Sequence, residues 1–340
     1  MTELDVGGLL ERARRALRRR WPGAEIGQLE PLPGGISSLT FAAALTGTGD
    51  TDQRVVVKVA PPGLTPVRNR DVLRQARVID AVHGAPGVLV PALLAQDDGS
   101  PPFFVMEFVA GESYEPKWDV SETPPAPATV GARARAASRM LARLQAVEPA
   151  RVGLGDEPAP SLTEEVDRWA ALFATAGDDL RGNETELQRA LAAQVPAGGP
   201  ARILHGDYRL GNIQFDGDRP AAIIDWEIWS VGDPRTDLAW LMAFTDPVQQ
   251  RVSERDAANR AAADAMPDAR ALLREYLQEA DRAQEPADLD WFLAFCYYKL
   301  GAAMSVLAKR NRRLPEPDPG LELAAQTTPP MLARGLALVS

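Results

Sequence analysis

The strongest constraint on this chain lies at residues 202–226, where short strand-like runs interrupt a half that otherwise reads as helix. Arg202-Ile203-Leu204-His205, Asn212-Ile213-Gln214-Phe215 and Ala221-Ala222-Ile223-Ile224 are the three runs, and Asp216-Gly217-Asp218-Arg219 between the last two suits a turn. Helical patterns flank them: residues 130–147 and 161–176 before, and Thr236 to the end after, with breaks at Pro267, Pro286 and 315–319.

The first part of the chain reads differently. Glu25–Leu29, Leu39–Leu45 and Gln53–Ala60 look like strands joined by turns, 70–83 like a helix, and Pro102–Gly111 like a further strand. Proline and acidic residues gather over 113–129 and mark a loop. At 340 residues the chain is long for one compact core. The expectation is an α+β chain of two lobes: a small β-rich lobe at 1–108 and a larger, mainly helical lobe at 109–340.

Composition removes several function classes. A single cysteine, Cys296, excludes a disulfide framework and points to a reducing compartment, so a cytoplasmic location is expected. Two histidines and one cysteine are too few for a structural zinc site. A formal charge of −10 argues against nucleic-acid binding. The arginines between Arg12 and Arg20 fit the polar face of a helix whose Leu10, Ala13, Leu17 and Trp21 recur at helical spacing. No secretory leader is read at the N-terminus, and no apolar run approaches the roughly 20 residues that span a bilayer, so no membrane partner is expected.

The chemistry concentrates in the interruption. His205-Gly206-Asp207-Tyr208-Arg209-Leu210-Gly211-Asn212 is followed by Ile223-Ile224-Asp225-Trp226-Glu227. Phosphoryl transfer asks a protein to aim an acceptor hydroxyl at phosphorus and to neutralise phosphate charge. Asp207, on a loop after a short strand, can take the hydroxyl proton. Asn212 and Asp225 offer the hard oxygens that Mg²⁺ prefers. Each alone reads as a turn or cap residue; together they have the parts of the HRDxxxxN and DFG pair of protein kinases.

These motifs resemble the aminoglycoside phosphotransferase/choline-kinase-like family, and within it the kinase-like domains associated with acyl-CoA dehydrogenases. The resemblance covers roughly residues 25–310 and implies a protein-kinase-like bilobal fold. It implies Asp207 as catalytic aspartate, Asn212 and Asp225 as metal-binding positions, His205 as a structural brace, and Asp237 as a brace of the catalytic loop. Arg209, beside the base, either touches phosphate or substrate or packs the loop. Glu227, two residues after Asp225 on an extended segment, would point the same way.

In the first lobe, Gly34, Gly35, Ser37 and Ser38 match the family's nucleotide loop. There glycines let backbone N–H groups approach phosphate and hydroxyls donate to it. Lys58 alternates with Val57 and Val59, faces away from them, and is expected to hold the α- and β-phosphates. Met106, Glu107 and Val109 match the hinge that meets the nucleobase. One departure stands out: Gln75 occupies the helical position where the family usually carries the lysine's glutamate partner. Gln75 shares a stripe with Asp71, Val78 and Val82, so it is expected to face inward, with Asp71 as a possible compensating charge.

The expected activity is transfer of the terminal phosphate of ATP or GTP, with Mg²⁺, to a small-molecule hydroxyl. A nucleotide-binding regulatory pseudokinase is the rival reading. Two acceptor classes stay open. Asp119, Asp281, Glu285, Asp288 and Asp290 would suit amino sugars, whereas residues 309–313 would suit the phosphates of a hydroxyacyl coenzyme A. The motif wording favours the second. Nucleotide and small molecule are the expected partners, and oligomeric state stays open.

Overall fold

The computed structural model describes residues 4–32, 38–49, 52–250 and 255–340. Asp5 caps helix α1 (Val6–Arg18), its carboxylate accepting from the Gly8 amide. Strands β1 (Glu25–Ile26), β2 (Glu30–Pro31), β3 (Leu39–Thr46), β4 (Gln53–Val59), β5 (Leu93–Asp97) and β6 (Phe103–Glu107) form one antiparallel sheet in the order β1-β3-β4-β6-β5, with β2 added on β3. Helix α2 (Val72–Val82) crosses between β4 and β5 in the chain. Val55, Val57 and Val59 point into a core with Leu9, Ala13 and Leu17 of α1. Lys58 and Val56 therefore face the other side, towards the inter-lobe cleft.

The second lobe is built on α3 (Pro127–Ala146). Helices α4 (Leu162–Phe173) and α5 (Glu184–Ala193) follow, then the paired strands β7 (Arg202–Leu204) and β10 (Ser230–Gly232) and the hairpin β8 (Ile213–Asp216)–β9 (Arg219–Ile223). The remaining helices are α6 (Arg235–Ala243), α7 (Ala257–Asp264), α8 (Ala269–Glu279), α9 (Leu289–Asn311), α10 (Pro319–Ala325) and α11 (Thr328–Val339). One core runs from α2 through α3 and the hairpin to α8, and so bridges both lobes. A second joins α4, α5, α6, α9 and α11.

Asp71, Asp256, Asp268 and Asp318 each accept a backbone N–H at a helix start. Ser161 and Glu164 form a reciprocal capping box on α4. The expectation about apolar runs needs a correction at α9. This 23-residue helix is long and apolar enough to cross a membrane, yet 78% of its most apolar window is buried inside the protein. It is the central staff of the second core, which is why it is apolar all round. Strand β5, helix α5 and strand β10 were not read from the sequence. They are short and carry no sustained period.

Candidate functional site

Strand β7 delivers the chain into the loop at 205–212, and buried side chains fix nearly every bend. The Asp237 carboxylate, fully buried at the start of α6, accepts the His205 amide at 2.6 Å and the Gly206 amide at 3.1 Å. Burial pushes the Asp237 carboxyl up, with His205 and Lys299 opposing that shift. The His205 ring lies 2.8 Å from the Ile224 carbonyl through Nε2, and its Nδ1 accepts the Asp207 amide at 3.3 Å. A carbonyl can only accept, so Nε2 carries the proton and the ring ties the loop to the Asp225 segment. Gly206 has φ +87, and a Cβ there would sit 2.5 Å from the Ile228 carbonyl oxygen, so only glycine fits.

The Asp207 carboxylate is held by three donors. Trp240 Nε1 reaches Oδ1 at 3.0 Å; Asn212 Nδ2 at 2.8 Å and Arg209 Nε at 3.3 Å reach Oδ2. A carboxylate has about four acceptor sites, so roughly one remains for an incoming hydroxyl. Asn212 also donates to the Asp207 carbonyl at 2.8 Å, which leaves its Oδ1 as the atom free of that task. Arg209 lies over the rings of Trp118 at 4.7 Å and Phe244 at 5.9 Å, with Glu115 at 3.7 Å. Arg209 is thus packed between two aromatic rings and two carboxylates. Glu115 is fully buried, and burial pushes its carboxyl up to about 7 against the pull of Arg209 and of the Gly211 amide.

A cleft of 510 Å³ opens between the lobes. Lys58, Met106, Glu107, Val109, Asn212 and Asp225 line it, so these residues of both lobes meet in one place, and Asp207 joins them through its bond with Asn212. Asp225 sits at φ +64, a conformation costing on the order of 1–2 kcal/mol for a residue with a side chain. Its Oδ1 accepts from Lys58 Nζ at 3.0 Å. Burial would raise the Asp225 carboxyl, but Lys58, His205 and Arg209 together hold it below its usual range. The Glu107 amide donates to the Ala92 carbonyl at 2.9 Å.

Gln75 faces inward as expected and is almost wholly buried, in the same small cavity as Lys58 and Asp225. Its amide donates to the Asn69 carbonyl at 3.1 Å, while Lys58 turns to Asp225. Asp71 is committed to capping α2 and does not stand in for the missing charge. Arg74 instead anchors α2: it stacks on Trp229 at 4.0 Å and donates to its carbonyl, and Trp229 Nε1 donates to the Arg74 carbonyl.

The match to known proteins completes the picture. The model of the phosphotransferase enzyme family (APH) matches residues 28–291. This chain belongs to that family. Mouse acyl-CoA dehydrogenase family member 10 is 23% identical over 274 residues, which cover 76% of this chain and 25% of the mouse protein. The chain thus spans about a quarter of the length of that curated relative. A proposed aminoglycoside phosphotransferase from Ralstonia eutropha superposes with a TM-score of 0.74 at 23% identity, over 99% of this chain and 98% of that one. An aminoglycoside phosphotransferase solved as a ternary complex with ADP and hygromycin B has a TM-score of 0.60 at 13% identity, over 93% and 96%. Both share the bilobal kinase-like fold.

Within this phosphotransferase, Gly34, Gly35 and Ser37 lie outside the described residues, whereas Ser38 is buried at the edge of that loop. The extended alternation expected from Asp225 to Glu227 is absent. The left-handed turn at Asp225 and the turn at 227–228 break it. Asp281, Glu285, Asp288 and Asp290 are exposed, and Arg312 of the basic run is taken up by Asp179 and Glu322. Sequence reasoning missed Trp240 as a partner of Asp207 and Glu115 as a partner of Arg209. A signal for Trp240 existed: it follows Asp237 by three on α6, so one helix face presents both to the loop.

Proposed function

We propose that this phosphotransferase is a kinase that moves the γ-phosphate of ATP or GTP to a hydroxyl of a small acyl metabolite, such as a hydroxyacyl coenzyme A. The observation that carries the reading is the convergence of Lys58, Asn212 and Asp225 on one inter-lobe cleft, with Asp207 tied to Asn212. We place the lobe boundary near residues 108–109, where β6 ends.

In the transfer, the acceptor oxygen bonds to the γ-phosphorus and the bond from that phosphorus to the β,γ-bridging oxygen breaks. The hydroxyl proton passes to Asp207 and the nucleoside diphosphate leaves with the bond electrons. Arg209, Asn212 and Trp240 aim the carboxylate. Lys58 is the cation for the α- and β-phosphates. Asn212 Oδ1 and the Asp225 carboxylate are hard oxygen donors on the cleft wall and fit Mg²⁺. Among the described residues no group of three or more His, Cys, Asp and Glu could hold a metal, as suits an ion that also relies on phosphate oxygens. Magnesium, when bound, would offset phosphate charge.

The relatives named as acyl-CoA dehydrogenase family members support the acyl acceptor. The test is nucleotide consumption with mass detection of the product, offering hydroxyacyl coenzyme A esters, free hydroxy acids and aminoglycosides. A stabilisation of about 2.7 kcal/mol with Mg²⁺-nucleotide at 100 times Kd, read as a rise in melting temperature, is expected alongside. No shift with ATP or GTP would refute both the kinase and the pseudokinase readings.

A further inference from the structure

A second cavity, of 120 Å³, lies beside the catalytic loop and shares no lining residue with the nucleotide cleft. That is well above the ~10–15 Å³ one water needs. Its wall includes Gly206 of the loop, Ile228 and Ser230 after Asp225, Trp169 of α4, Thr236 of α6 and Lys299 of α9. Lys299 is 5% exposed. Its ammonium lies over Trp240 at 4.8 Å, Trp169 at 5.4 Å and Phe295 at 5.7 Å. Among the described residues it makes no ion pair and no hydrogen bond.

The acids near it are otherwise engaged. Asp237 feels its field, but both Asp237 oxygens accept backbone N–H groups. Asp233 is held by Arg235 and the Gly199 amide, and Glu165 by Arg168. A buried ammonium with no oxygen acceptor is costly, and aromatic faces offset only part of that cost. The other end of Trp240 donates to Asp207, so Lys299 stands one indole away from the base.

We propose that this cavity is the acceptor subsite and that Lys299 receives the acyl oxygen of the acceptor, a carboxylate or a thioester carbonyl, while the hydroxyl lies at Asp207. The proposal rests on the kinase reading above. It selects hydroxyacyl compounds and disfavours polycations, whose ammonium groups would meet Lys299 as a like charge. The two acyl sources differ in kind: a carboxylate cancels the charge, whereas a thioester carbonyl only fills a hydrogen bond.

The experiment compares the wild type with Lys299→Met and Lys299→Arg. A series of hydroxycarboxylates of increasing chain length, their coenzyme A thioesters and kanamycin are offered with Mg²⁺-ATP. The expected result is turnover of acyl acceptors, with KM for the acceptor raised at least about tenfold in Lys299→Met and partly restored in Lys299→Arg. KM for ATP and the ATP-induced melting shift stay unchanged, which also shows that the variants fold. Whichever acyl arm responds identifies the source. An ATP shift with kanamycin preferred, or acyl turnover indifferent to Lys299→Met, overturns the subsite alone. No ATP shift in the wild type overturns the kinase reading and the subsite together.

Discussion

The two halves of the cleft are built on different terms. On the second-lobe side, Asp207 receives three side-chain donors, and the loop that carries it is pinned by Asp237, His205 and a glycine nothing else could replace. On the first-lobe side, Lys58 has one anionic partner, Asp225, itself on a backbone in the left-handed region, and the α2 position beside it is a neutral glutamine. The Asp207 side is thus over-determined, whereas the Lys58 side hangs on a single ion pair. The contrast shows that the Asp207 carboxylate is oriented by the fold, while Lys58 has, among the described residues, no charged partner on the helix beside it. Arg74 holds α2 in its place by stacking on Trp229 and by an ion pair with Glu157.

The sharpest way to break the comparison is Asp207→Asn. A general base contributes about 10²–10⁴-fold, so kcat should fall by that amount while nucleotide affinity, measured by calorimetry, stays near wild type. A wild-type rate would remove Asp207 from its role. Next in size is Glu115→Gln. The folded Glu115 carboxyl is raised to about 7, above its ordinary 4.5. Its stabilising contribution is therefore complete below about pH 4.5 and lost as pH rises through 7. The neutral variant escapes that loss, so its stability relative to wild type should improve from pH 5 to pH 8, by on the order of 2–3 kcal/mol. Denaturant melts at the two pH values check the sign, and a constant difference would contradict it.

Trp240→Phe keeps the ring under Lys299 and removes one N–H from Asp207. A hydrogen bond to a charged group is worth about 1.5–3 kcal/mol, so kcat should drop roughly tenfold or more with nucleotide KM untouched. Equal loss in both would mean the tryptophan supports the lobe rather than the base. The smallest effect belongs to Gln75→Glu. The lost bond to the Asn69 carbonyl should cost about 1 kcal/mol of stability, read from the denaturant midpoint. Nucleotide affinity should hold or tighten, because a carboxylate would then share the small cavity with Lys58. A loss beyond tenfold would show that the phosphate side depends on the glutamine itself.

Legibility in the sequence followed chain distance. Asp207, Asn212 and Asp225 were readable because strand–loop–hairpin order is local, and the polar residues fall where the strands end. The inward stripe of α2 and the alternation of β4 were readable for the same reason, since side-chain period is a property of the backbone. Met106, Glu107 and Val109 were placed by resemblance and lie on the cleft wall. Glu227 misled because alternation assumes an extended chain, and the turn at Asp225 ends it.

What the sequence by itself determined is therefore most of the longer elements, the two-lobe order and the polar residues on the loop and the strand ends. What only the tertiary structure decided is which of them share a partner. Lys58 and Asp225 are 167 residues apart, and Trp240 meets Asp207 from a different helix. Glu115 reaches Arg209 from the loop between the lobes, and Lys299 enters from α9 between aromatic rings. No local period encodes such pairings. They arise when apolar faces bury against each other and carry along the polar side chains between them, which must then find partners or stay costly.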